Sequence, residues 1–132
     1  MKFTAQIATL DKDEYTTVLG FADDAENPQC SVLLQITNCP TDEDIKLGHA
    51  GIYLEVNDRR HHGYNLLESI EATVDGVLLR TNREAMTVGI DAELSITLCD
   101  GTIDGLPISE ALRDFQQRLR IFGERRPDIF VD

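Results

Sequence analysis

The sequence predicts a mostly β domain of the α+β class, with antiparallel sheets in a sandwich-like arrangement and one C-terminal amphipathic helix packed on a sheet. Three observations carry this prediction. Hydrophobic and polar residues alternate through most of the chain, at the period of two typical of half-buried strands. An Asp-Gly pair separates two β-rich segments. The hydrophobic period becomes helical only near the carboxyl terminus.

The length and composition predict a single domain over residues 1–132. A chain of 132 residues, of which 42% are hydrophobic, lies in the usual size range of one domain and can bury its own core. No internal repeat or low-complexity linker interrupts the pattern.

The first segment is predicted to form an N-terminal hairpin. Over residues 2–10, Phe3, Ala5 and Ile7 alternate with polar residues, which predicts one half-buried strand. The polar sequence DKDE then turns the chain, and residues 16–22 return as the second strand.

Further strands are expected over residues 30–37, 51–58 and 92–101. The first of these is an almost continuous apolar run, which suits a strand covered on both faces. The other two alternate. In residues 51–58 the alternation places Tyr53 and Glu55 on the face opposite the apolar residues.

The strongest local signal is a hairpin over residues 69–82. Asp75 and Gly76 supply residue types that adopt the two positive-φ positions of a type I′ turn. This turn would place Val74 opposite Val77, and Glu71 opposite Arg80 as a favourable ion pair.

The helix is predicted from apolar residues at helical spacing, with charged residues on the opposite face. Acidic residues lie in its early part and arginines in its late part, as the helix dipole favours. The predicted buried face consists of Ile108, Ala111, Leu112, Phe115, Leu119 and Phe122.

The charge of the chain opposes direct binding to nucleic acid or to an anionic membrane. The 24 acidic residues exceed the 12 Lys and Arg, for a formal charge of −12. Residues 1–58 hold 11 acids and 3 bases, so most of the excess lies in the N-terminal half.

The cysteines and the absence of targeting signals predict a cytoplasmic protein. Cys30, Cys39 and Cys99 have neither disulfide-framework nor zinc-site spacing, and we expect them to be small buried side chains. No basic segment followed by an apolar run opens the chain, and no run of about 18 apolar residues occurs.

Residues 57–65 contain the densest group of possible metal ligands. His61 and His62 are adjacent and lie near Asp58, and imidazole and carboxylate groups both bind zinc. Neighbouring residues of a strand point to opposite faces, however, and His49 would have to approach through the fold. A solvated turn without metal or cofactor is the preferred interpretation. No nucleophile or nucleotide-binding motif is present.

Two acidic runs remain, residues 22–26 and 41–48. They can be solvated loops, calcium ligands without the EF-hand pattern, or a surface that attracts a basic partner. In the second run Thr41 can cap a short helical turn together with Asp44.

Several short pieces between residues 16 and 98 together form a recognisable pattern: Phe21 to Asp24, Gln35, Asp42 to Gly48, Tyr53, Glu55, Gly63 and Tyr64. This pattern resembles the immunity protein 10 family, which is found beside polymorphic toxins in bacteria. That family follows Gly-Tyr with further glycines, whereas this chain has Asn65 and Leu66.

The resemblance implies a non-catalytic inhibitor that binds a cognate toxin and protects the producing cell. Combined with the charge, it suggests occlusion of a basic toxin cleft by carboxylates, with aromatic residues as anchors. The sequence leaves open whether the inhibitor is a monomer or a homodimer. The candidate partner-binding residues are Asp23, Asp24, Glu26, Asp42, Glu43, Asp44, Tyr53, Glu55 and Tyr64.

Two other functions stay open at this point. One is an interaction module of another pathway, binding through a sheet edge. The other is a small metal-dependent enzyme built around His49, Asp58, His61 and His62.

Overall fold

The computed structural model describes residues 1–131, with side chains described for residues 1–122. Eleven strands lie in this range: β1 (Lys2–Ala5), β2 (Ile7–Lys12), β3 (Thr16–Ala22), β4 (Ser31–Thr37), β5 (Tyr53–Val56), β6 (Asp58–Tyr64), β7 (Leu67–Ala72), β8 (Gly76–Thr81), β9 (Glu93–Leu98), β10 (Thr102–Ile103) and β11 (Leu106–Pro107). Three helices accompany them: α1 (Asp42–Lys46), α2 (Arg83–Thr87) and α3 (Ile108–Val131).

The strands form two main sheets. Sheet I is antiparallel throughout and has the order β2-β3-β4-β5-β6. Sheet II has the order β1-β9-β8-β7 and is antiparallel except for the parallel pair β1 and β9. The short strands β10 and β11 form a separate hairpin. The predicted mostly β, mainly antiparallel class is therefore confirmed.

One hydrophobic core joins the two sheets and α3. Alternate residues of β3, β4, β5 and β9 are buried, as the period-two pattern predicts. The residues with no exposed surface include Leu19, Leu34 and Leu54 from sheet I, Leu79 and Leu94 from sheet II, and Leu112 and Phe115 from α3.

Helix α3 packs on β7, as predicted for the C-terminal helix. Its buried residues Ile108, Ala111, Leu112 and Phe115 follow the predicted apolar face. The side-chain amide of Gln116 also donates to the carbonyl oxygen of Ile70 at 2.9 Å, which fixes the helix against β7.

The predicted first strand is divided between the two sheets. Residues 2–5 pair with β9 in sheet II, and residues 7–12 pair with β3 in sheet I, so the chain crosses between sheets at Gln6. The amide of Gln6 donates to the carbonyl oxygen of Ala22 at 2.9 Å. Ala5 is buried as expected, but Ile7 is exposed because it lies after the crossing on the solvent side of sheet I.

The β7–β8 hairpin is present, but its predicted register is wrong. Ala72 pairs with Val77 and Ile70 with Leu79, so Glu71 lies opposite Leu78 and not opposite Arg80. This register pairs the buried Ile70 with the buried Leu79. The turn residues are Val74 and Asp75, since the amide of Thr73 donates to the carbonyl oxygen of Gly76, and neither has a positive φ.

Two burial predictions also require correction. Strand β4 alternates between buried and partly exposed residues and is not covered on both faces. The three cysteines were expected in the core, but Cys30 is partly exposed and Cys39 and Cys99 are exposed. All three lie just outside strand ends, where the general preference of Cys for burial does not apply.

Helix α2 was not anticipated from the sequence. Its N-cap Asn82 accepts a hydrogen bond from the amide of Ala85, and Ala85 is the one residue of this helix that is buried.

Among the described residues no helix is long and apolar enough to cross a membrane.

Candidate functional site

The acidic loop between β3 and β4 uses two of its carboxylates to hold its own backbone. Oδ1 of Asp23 accepts the amides of Gln29 and Cys30 at 2.9 and 3.1 Å. Oδ1 of Asp24 accepts the amides of Glu26 and Asn27 at 2.8 and 3.2 Å. These bonds, that from Glu26 first, lower the pKa of Asp24 below its ordinary value. Glu26 itself is exposed.

The second acidic run forms α1 in the predicted way. The amide of Asp44 donates to Oγ1 of Thr41 at 3.1 Å, and the amide of Thr41 donates to Oδ2 of Asp44 at 2.9 Å, which completes a capping box. Asp42 and Glu43 lie exposed in the first turn. Asp44 therefore has a structural role, while Asp42 and Glu43 face solvent.

The two acidic segments lie at opposite ends of sheet I. The loop of residues 23–30 joins the end of β3 to the start of β4, whereas α1 follows the end of β4 and precedes β5. The seven residues of β4 extend over roughly 23 Å. The structure therefore does not bring the predicted acidic residues together into one cluster.

An aromatic group lies on the outer face of sheet I, the face opposite the core. Tyr53 and Tyr64 are direct partners in β5 and β6, and their ring centroids are 5.4 Å apart. His49 stacks on Tyr64 with centroids 4.5 Å apart, and His62 lies 5.7 Å from Tyr53. These residues are near the α1 end of the sheet, because Tyr53 begins β5 and Tyr64 ends β6.

Glu55 fixes the hydroxyl group of Tyr53. The Tyr53 hydroxyl donates to Oε1 of Glu55 at 2.9 Å. Burial, followed by this hydrogen bond and the negative charge of Glu55, raises the pKa of Tyr53 to about 12. The phenol therefore stays neutral at physiological pH, with its ring only partly exposed.

The predicted turn at residues 57–65 is instead an edge strand. Asn57 makes the turn alone, with φ of 64°, and β6 follows directly. His61 and His62 lie on opposite sides of β6, as the strand geometry predicts: His62 contacts Tyr53, while Nδ1 of His61 lies 2.9 Å from the carbonyl oxygen of Val88. Asp58 binds Arg60, which lowers the pKa of Asp58.

These positions do not support the metal-dependent enzyme. Within the part of the chain whose side chains are described, no three His, Cys, Asp or Glu residues are grouped as a metal ion requires. His49 lies beside Tyr64, and His61 faces the segment after α2.

Sequence reasoning missed several exposed apolar side chains near the α1 end. Tyr15, in the turn between β2 and β3, is 71% exposed, and Leu47, just after α1, is 60% exposed. An aromatic residue inside the polar stretch DKDEYTT is the signal that could have identified Tyr15.

The fold and this surface define a class: a small, two-sheet β domain with aromatic and carboxylate groups on an open sheet face. The sequence model of the family described as Immunity protein 10 matches residues 4–104. The chain belongs to that family, as the resemblance indicated. A comparison with curated proteins finds no match.

Family membership implies a role in inhibiting a toxin, and therefore a toxin as partner. Immunity protein families are generally non-catalytic.

Proposed function

We propose that this protein is a cytoplasmic inhibitor that binds its cognate toxin, a basic protein, and occludes the toxin's active cleft. Membership of the immunity protein 10 family is the observation that carries the proposal. The formal charge of −12 supports a positively charged partner, because opposite charges attract. A toxin that acts on nucleic acid needs a basic cleft, and carboxylates can take the places of phosphates there.

The acidic residues divide into two roles. Glu26, Asp42 and Glu43 are exposed and free to attract the toxin over long range. Asp23, Asp24 and Asp44 hold the backbone of their own segments, so they orient these segments as well as add charge. Replacing Asp23 or Asp24 would therefore disturb the loop. A substitution of Glu26 changes the charge of this segment without removing a hydrogen bond of its backbone.

The α1 end of sheet I is the proposed contact region. Asp42, Glu43, Tyr53 and Tyr64 lie at this end, whereas the 23–30 loop lies at the other. Partly exposed aromatic residues with fixed rings are frequent anchors at interfaces, because little side-chain entropy is lost when they bind. Glu55 holds Tyr53 in such a position.

Co-expression with the toxin domain encoded by the adjacent gene tests the proposal. The expected result is restored growth and a complex that copurifies at a defined ratio. An immunity protein encoded beside a different toxin serves as the control and should not protect. Failure of this protein to protect or to copurify would contradict the proposed function.

A further inference from the structure

A groove of ≈ 440 Å³ lies between the β2–β3 turn and α3. Asp13 and Glu14 line it from the turn, and Asp114, Arg118 and Ile121 line it from α3. Ile121 is 44% exposed, although it is a large apolar side chain. The groove thus combines an accessible apolar wall with carboxylates on both sides.

Tyr15, which directly follows these two turn acids, is held by a rigid backbone while its ring stands in solvent. Oδ1 of Asp13 accepts the amides of Tyr15 and Thr16 at 2.7 and 2.8 Å. The carbonyl oxygen of Tyr15 accepts the amide of Asn38 at 2.8 Å, and the side chain of Asn38 donates to the carbonyl oxygen of Asp13. A ring held in this way has little backbone freedom to lose when a partner covers it.

The charges around the groove favour a cation over an anion. Residues 11–14 contain three acids and one base, and α1 at the same end of sheet I also contains three acids and one base. Among the lining side chains, three carboxylates face two bases. Lys12 pairs with Asp114 at 3.3 Å. Arg118 keeps its positive charge and donates to the carbonyl oxygen of Ala50 at 2.9 Å. Since Lys12 and Asp114 are both substantially exposed, their pair is weak, and Asp114 can exchange Lys12 for a partner's cation.

We propose that this groove receives a basic segment of the toxin that carries an apolar side chain. The apolar side chain packs against Ile121, the cation lies among Asp13, Glu14 and Asp114, and the ring of Tyr15 covers the segment from the turn. This inference rests on the proposed function, since it takes the toxin as the occupant, and it assigns the principal anchor to the β2–β3 turn and α3.

Binding measurements with the toxin domain encoded by the adjacent gene test the inference. Tyr15→Ala and Ile121→Ser remove the two exposed side chains and keep the backbone bonds. Val74→Ala and Met86→Ala are matched controls, because Val74 is 102% and Met86 67% exposed and both lie in segments connected to sheet II. Each test variant should weaken binding by roughly 30-fold or more, and each control by less than about threefold. All four should unfold at the wild-type temperature.

The outcomes separate the inference from the proposed function. If the wild type binds and the two test variants bind equally well, the groove is not the docking site and the proposed function stands. The same conclusion follows if the controls lose as much affinity as the test variants. If the wild type itself does not bind, the proposed function fails and this inference fails with it.

Discussion

Nδ1 of His61 lies 2.9 Å from the carbonyl oxygen of Val88. This contact joins β6, the edge strand of sheet I, to the segment between α2 and β9 of sheet II. The neighbouring His62 is exposed on the other side of the same strand. We therefore expect His61→Ala to lower the free energy of unfolding by about 1 kcal/mol, and His62→Ala to leave it nearly unchanged. Urea unfolding at neutral pH measures both. Equal effects of the two changes would show that the His61 contact adds no stability.

Gly76 provides a second stability test, because its backbone lies against β9. A Cβ at position 76 would collide with the carbonyl group of Ile96, whereas a Cβ at Gly101 would meet nothing within 4 Å. Gly76→Ala should cost roughly 2–4 kcal/mol through displacement of β9. Gly101→Ala should cost only about 1 kcal/mol, the strain of its positive φ. A Gly76→Ala protein as stable as Gly101→Ala would contradict the close approach.

The pKa of Tyr53 predicts an alkaline loss of stability. Its folded-state pKa is raised to about 12 from the ordinary 10.0, so the folded protein keeps the phenolic proton over a range in which the unfolded chain has lost it. The resulting stabilisation is complete below pH 10 and disappears as the pH rises to about 12. Absorbance titration at 295 nm measures the ionisation.

Glu55→Gln is the matched variant for this titration, because it removes the negative charge beside the phenol. The pKa of Tyr53 should then fall, yet stay above 10.0, since burial is the largest cause of the shift. An unchanged titration in Glu55→Gln would exclude the Tyr53–Glu55 contact in solution.

The turn that carries Tyr15 should loosen in acid. Hydrogen bonds from the amides of Thr16 and Tyr15 lower the pKa of Asp13 from 3.8. Their contribution is therefore present above pH 3.8 and is lost as the pH falls through the lowered pKa of Asp13. NMR titration should show the carboxyl carbon of Asp13 and both amide protons moving together. Asp13→Asn should abolish this common transition, and its persistence would mean that another group causes it.

Charge reversal distinguishes long-range attraction from contact. Glu26→Lys, at one end of sheet I, should slow association about twofold and leave dissociation unchanged. Asp42→Lys combined with Glu43→Lys, at the α1 end, should slow association about tenfold and flatten its dependence on salt. Glu71→Lys in sheet II is the control with the charge change of Glu26→Lys, and Glu68→Lys combined with Glu71→Lys is the control with that of the α1 double variant. Stopped-flow measurements with the toxin domain provide the rates. An α1 double variant that associates as fast as the wild type would refute a role of the α1 end in attracting the toxin.

Local patterns in the sequence predicted the individual elements well. The capping box of Thr41 and Asp44, the buried face of α3 and the alternation of Tyr53 and Glu55 with core residues all involve neighbours in the chain. Such patterns depend on the geometry of one helix or strand, which is the same in any fold. The Asp-Gly signal for a type I′ turn was assigned to the wrong pair, because positive φ values occur at Asp104 and Gly105 and not at Asp75 and Gly76.

The composition of the candidate surface was partly predictable, but its arrangement was not. Aromatic and acidic residues could be named from the family pattern, whereas Tyr15 and Ile121 belong to no pattern and become notable only through their exposure. The register of β7 and β8 could not be predicted from neighbouring residues either. The burial of Ile70 opposite Leu79 outweighed the predicted Glu71–Arg80 ion pair.

By itself the sequence determined that this protein consists mainly of half-buried strands with one amphipathic helix near the carboxyl terminus, that it is strongly negative, and that it resembles toxin inhibitors. Only the tertiary structure decided that the chain crosses between sheets at Gln6 and that the two acidic segments lie at opposite ends of sheet I. It also decided that the turn acids preceding Tyr15 line a groove against α3. The physical reason is that burial and turn chemistry act on adjacent residues, while the pairing of distant strands fixes which loops share an end of the molecule.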